Sequence, residues 1–326
     1  MLSSLRAMLT GIIDYAGLFP PAKLPLDHAI RDYARYRREP EAWMLGRFIC
    51  PAARLLELTA FPKDLFQSGP PIVFSAVGRD TNSVEEFLNG LQADLQAIAG
   101  FRDNLKSRVD VDVLEVRLPP DLVQSPLPVT VDHPFVRAAK HITELGPPAL
   151  SLFFEAGRTP DYRQSLGELI DALSNYHQFF GKAGSAKMGL KLRCGGIEAL
   201  AFPDPHLVAF VVAACRDADV PLKFTAGLHH PVRHFDAALP TKMHGFLNLF
   251  GAGILAHARR LKEAALLGII EDENPDHFVF ENERFRWKEF SVSEPEIVAA
   301  RRRGVISFGS CSFAEPRDDL RALGLL

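Results

Sequence analysis

The sequence predicts an α/β fold, a closed (β/α)8 barrel, and three observations carry that prediction. Eight short apolar runs fit into 326 residues, and most of them are followed by a longer segment of helical periodicity. The first strand candidate runs into IDYAGLFPP, with no glycine-rich phosphate loop. Because an open doubly wound sheet normally carries such a loop, the pattern favours a closed barrel. We therefore predict a single barrel domain spanning residues 1–326.

The strand candidates carry Val, Ile, Leu and Phe at consecutive positions. That is typical of strands buried on both faces of a parallel sheet. They are segments 10–17, 45–50, 71–78, 111–118, 149–157, 187–193, 221–227 and 305–309.

Helical patterns separate the strand candidates, and several of them end at glycine or proline. They cover 26–38, 83–101, 133–145, 165–180, 205–218 and 244–268, and DDLRALGLL closes the chain. The seventh unit is oversized. Its residues, about 269–303, include FVFENERFRWKEF, whose alternation predicts an inserted hairpin.

Composition indicates a globular protein of enzyme size, with 47% hydrophobic and 24% charged residues. The net charge of −3 predicts neither nucleic acid nor an anionic membrane as a partner. No apolar run reaches bilayer length, and the N-terminal residues lack a signal-peptide pattern. The four cysteines are widely spaced, so we expect free thiols in a cytoplasmic protein. The sequence predicts no cofactor, and it allows a homo-oligomer, with FLNLF (246–250) either in the core or at a dimer surface.

Charged side chains interrupt the apolar strands near their C-terminal ends, where barrel enzymes place their active sites. Glu115 and Arg117 are two positions apart on the fourth strand, so their side chains point to the same face. Lys191 and Arg193 are related in the same way on the sixth strand. Because a buried charge must be paired, one interpretation is a structural layer of salt bridges, such as Glu115–Lys191 or Glu155–Arg193.

A second interpretation is catalytic and rests on the two lysines, Lys191 and Lys223, of neighbouring strands. A lysine amine becomes a nucleophile when desolvation or a nearby cation lowers its pKa. Lys191 would then form a Schiff base with a carbonyl substrate while Lys223 holds its pKa down. Glu115 or Glu155 would move protons. Arg117 and Arg193 would bind an anionic substrate.

Small residues follow three of the strands and suggest an anion cradle. Gly195 and Gly196 follow the sixth strand, Gly227 follows the seventh, and Ser310 and Ser312 follow the eighth. Glycines allow a ligand to approach backbone amides, which bind phosphate. Tight turns are the alternative explanation at each position.

The segments VLEVRLP, FFEAG, KLRCGG, KFTAGLH and FGSCS, in this order, resemble strands of the deoxyribose-phosphate aldolase family of Schiff-base aldolases. The resemblance covers residues 109–227 and 305–312, and it implies a (β/α)8 barrel with lyase activity. It implies that Lys191 is the Schiff-base lysine, Lys223 the second lysine, and Glu115 a proton relay. Gly227, Ser310 and Ser312 would lie in the phosphate-binding region.

Two further hypotheses come from other residues. The histidines after the seventh strand, His229 and His230, could bind a metal ion with a carboxylate in a hydrolase or isomerase, or could bind an anion. A non-catalytic anion-binding barrel is the third possibility. Asp14 is either a substrate contact or a cap of the first loop. Cys194 and Cys311 could be nucleophiles, but we favour the interpretation that they are small buried residues.

Overall fold

The computed structural model of the protein describes residues 2–66, 69–124, 129–148, 150–157, 159, 161–181 and 186–326. The strands in these ranges are β1 Ile13–Tyr15, β2 Leu45–Pro51, β3 Ile72–Val77, β4 Val109–Arg117, β5 Ser151–Glu155, β6 Lys187–Arg193, β7 Leu222–Thr225, β8 His234–Asp236, β9 Thr241–Met243, β10 Phe278–Phe280, β11 Arg284–Trp287, β12 Phe290–Ser293 and β13 Val305–Ser310.

Eight of these strands form a closed parallel barrel in the order β1-β13-β7-β6-β5-β4-β3-β2. The helices of the described ranges are α1 Ser3–Leu9, α2 Leu26–Tyr36, α3 Val84–Leu105, α4 Pro120–Gln124, α5 Pro134–Leu145, α6 Tyr162–Phe179, α7 Pro205–Asp217, α8 Phe246–Arg259, α9 Glu263–Ile270, α10 Glu294–Arg303 and α11 Ala314–Ala322. The predicted (β/α)8 fold is confirmed, and each predicted strand segment overlaps one barrel strand.

The seventh unit differs from its prediction in two ways. The expected hairpin is a three-stranded antiparallel sheet, β10-β11-β12, because FSVS adds a third strand beyond the FVF and RFRW pair. The predicted helix 244–268 is two helices, since α8 ends where Arg260 adopts a left-handed backbone with φ 49°. A short hairpin, β8-β9, also precedes α8.

The segment FLNLF lies in the core and not on a dimer surface. Phe246, Leu247, Leu249 and Phe250 are all buried within the chain, on different sides of α8. A helix that is buried all round needs neighbours on every side, and α8 packs against α7, α9 and α10.

The chain divides into two compact units. The first contains Met1–Pro25, Arg35–Gly46 and Leu192–Leu326, and therefore β1, β7, β13 and the inserted sheet. The second contains Leu26–Ala34 and Arg47–Lys191, and therefore β3, β4, β5 and most of β6. The two clusters of buried charge described below belong to different units.

One segment, Ala199–Asp217, is long and apolar enough to cross a membrane by length and composition alone. It contains α7, whose Val208, Val211 and Val212 are buried against the rest of the first unit. Core helices of soluble proteins meet the same criteria, so one such segment is weak evidence for a membrane span.

Candidate active site

Lys191 lies between two carboxylates in the second unit. Its Nζ is 2.8 Å from Oε2 of Glu115 and 3.0 Å from Oε2 of Glu155. The salt bridge between Glu115 and Lys191 that the sequence suggested is therefore present. Glu155 pairs with the same lysine and not with Arg193 as that interpretation supposed.

The strand register explains how these three residues meet. Phe154 pairs with Leu190, so the following residues, Glu155 and Lys191, lie side by side on β5 and β6. Glu115 pairs with Phe153 on the other side of β5. Because alternate residues of a strand point to the same face, all three charged side chains project to one side of the sheet.

Glu115 is the buried anchor of this cluster, with only 1% of its side chain exposed. The Ser75 hydroxyl on β3 donates a hydrogen bond of 2.6 Å to Oε1 of Glu115. Lys191 and Glu155 are more accessible, with 11% and 17% of their side chains exposed. The cluster therefore has a buried side at Glu115 and an accessible side at Glu155.

The carboxylates determine the charge of Lys191. Burial acts to lower the pKa of its amine, but the charges and hydrogen bonds of Glu115 and Glu155 outweigh burial, and the pKa is raised above its ordinary value. Sequence reasoning expected a lowered pKa. The physical reason for the difference is that the lysine's contacts are anions.

The second lysine, Lys223, belongs to a separate cluster in the first unit. Its Nζ forms an ion pair with Oδ2 of Asp14 and donates to Oγ of Ser307 at 3.1 Å. Ser307 in turn donates to Oδ2 of Asp14 at 2.6 Å. All three residues have 0% exposure. Lys223 and Asp14 are thus buried partners of each other, while the catalytic role of Lys223 and the substrate contact of Asp14 stay predictions.

Gly195 and Gly227 are required for loop packing. A Cβ at Gly195 would lie 2.7 Å from both Cα of Gly227 and the Phe202 ring, and Gly227 has φ +71°. Only glycine tolerates both restrictions without strain. The space that a Cβ would take at these two residues is therefore filled by protein, and their role in binding an anion stays a prediction.

The other small residues of the predicted cradle serve local turns. The Ser310 hydroxyl accepts from the backbone N–H of Ser312 at 3.3 Å, and the Ser312 hydroxyl accepts from the N–H of Glu315 at 3.2 Å, where α11 begins. A Cβ at Gly196 would lie 2.7 Å from Cβ of Ala201. All three residues therefore have contacts within the protein, and their role in binding an anion stays a prediction.

The two arginines are exposed at the ends of their strands. The Arg117 guanidinium lies near Gly157, where an added Cβ would be 3.5 Å from Nη2. Arg193 lies near Gly196 in the same manner, at 3.6 Å. Each is positioned to meet solvent or an anion in its own unit.

The histidines after β7 have separate partners. Nδ1 of His229 is 2.9 Å from Oε2 of Glu315, and Nδ1 of His230 is 2.5 Å from Oδ2 of Asp319. Both carboxylates lie on α11. Throughout the described ranges, no three His, Cys, Asp or Glu side chains converge to hold a metal ion. The metal-dependent alternative therefore gains no ligand set from this structure.

His244 is a buried neutral histidine. Its Nε2 donates to the carbonyl of Pro203 at 2.8 Å, and Arg233 donates to its Nδ1 at 3.2 Å. Burial lowers the pKa of His244 to about 4. This histidine supports the loop that carries the β8-β9 hairpin.

Sequence reasoning missed Ser75 and Ser307, which hydrogen-bond the two acidic residues of the buried clusters. The signal was available, since each is a polar residue inside an apolar strand, in IVFSAV and VISFGS. Glu315 and Asp319 gave no such signal, because an acidic residue on a terminal helix is ordinarily solvated.

No protein-family model matches this chain, and no similar sequence was found among curated proteins. Among solved structures, the chain is similar to the endo-1,4-beta-xylanase XylE of Penicillium canescens. The sequence identity is 13%, the match covers 79% of this chain and 81% of the xylanase, and the TM-score is 0.33. A likeness of this size says nothing of activity, and the fold assignment depends on the strand topology.

Proposed function

We propose that this barrel is a lyase of the Schiff-base aldolase type that acts on a small anionic carbonyl compound, with Lys191 as the nucleophile. The observation that carries the proposal is a partly accessible amine in contact with two carboxylates near the end of a barrel strand. Active sites of barrel enzymes lie at that end of the strands. Lys223 has no exposure and is not the nucleophile.

The contacts of Lys191 support a division of roles between the carboxylates. Glu155, the more accessible of the two, accepts a proton from the ammonium when the carbonyl compound binds. The free amine then attacks the carbonyl carbon, and the returned proton allows water to leave as the imine forms. Glu115, held by Ser75, keeps the amine in place. This assigns the proton relay to Glu155, where sequence reasoning assigned it to Glu115.

The raised pKa of Lys191 keeps its amine protonated at rest, so the scheme requires that Glu155 accept this proton before the amine attacks. Arg117 is exposed at the end of β4 and supplies a positive charge for an anionic substrate group. We also propose that the protein is cytoplasmic, which four free cysteines support.

Borohydride trapping tests the proposal. The protein is incubated with pyruvate, dihydroxyacetone phosphate or acetaldehyde, reduced, and measured by intact mass. We expect an adduct that maps to Lys191, disappears in Lys191→Met, and persists in Lys187→Met, which changes an exposed lysine of the same strand. If none of the three compounds leaves an adduct on Lys191, the proposal is wrong.

The same lysine–carboxylate cluster favours one second candidate, a proton-transfer isomerase that forms no covalent bond. Ammonium and carboxylate groups in contact are a general acid and base pair. This candidate predicts exchange of the substrate's α-hydrogen for deuterium in D2O without any trapped adduct. Deuterium exchange together with a Lys191 adduct favours the lyase.

A further inference from the structure

A second reactive group lies in the first unit, apart from the lysine cluster of the second unit. Cys311 directly follows β13, and His229 follows β7, the strand that pairs with β13 in parallel. Both residues therefore lie at the C-terminal ends of neighbouring barrel strands, the usual location of catalytic groups in this fold. Sequence reasoning interpreted Cys311 as a small buried residue, but it is only partly buried.

Three side chains are aligned as nucleophile, base and orienting acid. Sγ of Cys311 is 4.0 Å from Nε2 of His229. Nδ1 of His229 is 2.9 Å from Oε2 of Glu315. Since the Glu315 carboxylate accepts a hydrogen bond from Nδ1–H, the other ring nitrogen, Nε2, faces the thiol. The distance between Sγ and Nε2 is longer than a normal hydrogen bond, as is common in such pairs when no substrate is bound.

The surroundings of the thiol suit activation by a base. Burial raises the pKa of Cys311, while the backbone N–H of Ala22 favours the thiolate. The resting group is therefore a thiol that needs His229 to remove its proton. The other three cysteines, Cys50, Cys194 and Cys215, are buried, so Cys311 is the thiol that a reagent reaches first.

We propose that Cys311, His229 and Glu315 form a thiol acyl-transfer site for esters or thioesters of small carboxylic acids. Sγ attacks the acyl carbon while the thiol proton passes to Nε2 of His229. The bond between the acyl carbon and the oxygen or sulfur of the leaving group breaks. The departing alcohol or thiol takes the proton from His229. Water then hydrolyses the thioester, which releases the acid and restores the thiol. Glu315 is a positioning residue that holds the imidazole tautomer.

The test uses p-nitrophenyl acetate with the full chain, following nitrophenolate release and the acetyl adduct by intact mass and peptide mapping. We expect an adduct on Cys311 that Cys311→Ala abolishes. His229→Asn should slow its formation on the order of 10²-fold, the usual contribution of a general base.

His230→Asn is the matched control. His230 is the neighbouring residue and pairs with Asp319 on the same helix, although 38% of its side chain is exposed against 19% for His229. This variant should acetylate at the rate of the unmodified protein. Equal slowing in both histidine variants would show a general loss of structure and overturn the proposal.

The Glu315 variants test the positioning role and keep the proposal falsifiable if His229→Asn fails to fold, which thermal unfolding would reveal. Glu315→Ala should slow acetylation about tenfold, and Glu315→Gln, which keeps an acceptor oxygen, should restore most of the rate. The proposal is wrong if acetylation is unchanged in His229→Asn or Glu315→Ala, or if no nitrophenolate release depends on Cys311.

Discussion

Replacing Lys191 with methionine removes the positive charge that two carboxylates share, and we expect it to destabilise the fold by about 3–5 kcal/mol at pH 8. At the observed distances of 2.8 and 3.0 Å, each ion pair contributes a gross attraction of about 6 kcal/mol at an effective dielectric constant of about 20. Desolvation of the ions offsets much of that attraction. The net loss is therefore of the size seen when one partner of a buried pair is removed.

The destabilisation caused by Lys191→Met should depend on pH. The folded pKa of Lys191 is raised above its unfolded value of about 10.4, so its stabilisation is complete below that pH and is lost only as pH rises beyond it. In Lys191→Met, Glu115 keeps the hydrogen bond from Ser75 but loses the ammonium that balances its buried charge, which favours the neutral carboxyl. Protonation of Glu115 as pH falls toward 5 then relieves part of the penalty.

The assay is urea unfolding at pH 8 and pH 5, followed by tryptophan fluorescence. Lys187→Met is the control, because Lys187 is exposed on the same strand and its replacement should change stability by less than about 0.5 kcal/mol. A loss below about 1 kcal/mol for Lys191→Met at pH 8, or an equal loss at pH 5, would refute the reasoning.

Two other buried groups give predictions of their own. Lys223→Met removes the ammonium beside Asp14, which has 0% exposure, and should cost about 3–5 kcal/mol, while adding Asp14→Leu should recover part of the melting temperature. For His244, the folded pKa of about 4 lies below the unfolded value of about 6.5. Its neutral form therefore stabilises the fold above pH 6.5, and up to about 3 kcal/mol is lost as pH falls toward 4. His244→Gln should flatten that pH dependence in urea titrations.

Controls accompany both of these predictions. If the double variant of Lys223 and Asp14 melts below Lys223→Met, the buried negative charge of Asp14 is not the source of the loss. If His244→Gln keeps the full pH dependence of unfolding between pH 7 and pH 4, another group is responsible for it.

Strand positions were predictable because they depend on local pattern. The segment KMGLKLR was predicted at 187–193, and β6 spans Lys187–Arg193. The apolar residues of this strand lie between charged residues, and these charged residues mark where the buried part of the strand begins and ends. The inserted sheet was less predictable, since the number of antiparallel strands depends on which neighbours pair, and FSVS is too short to signal a strand alone.

The partners of the charged residues were less predictable than the strands. Asp14 and Lys223 are 209 residues apart in sequence, and their contact depends on the closure of β1 and β7 around β13. Glu155 pairs with Lys191 and not Arg193 because of the β5–β6 register, which no local pattern specifies. Composition could say only that each buried charge needs a partner.

The two lysines differ in their position along their strands. Lys223 is the second residue of a four-residue strand, and Lys191 is the fifth residue of seven. The first is enclosed with no exposure, while the second retains 11% of its side-chain exposure close to the strand's end. An enclosed ion pair can be replaced by apolar residues of similar volume at little cost in stability. Replacing Lys191 and its two carboxylates with apolar residues should therefore change the free energy of unfolding little while it abolishes imine trapping. A loss of chemistry without a loss of stability distinguishes a catalytic ion pair from a structural one.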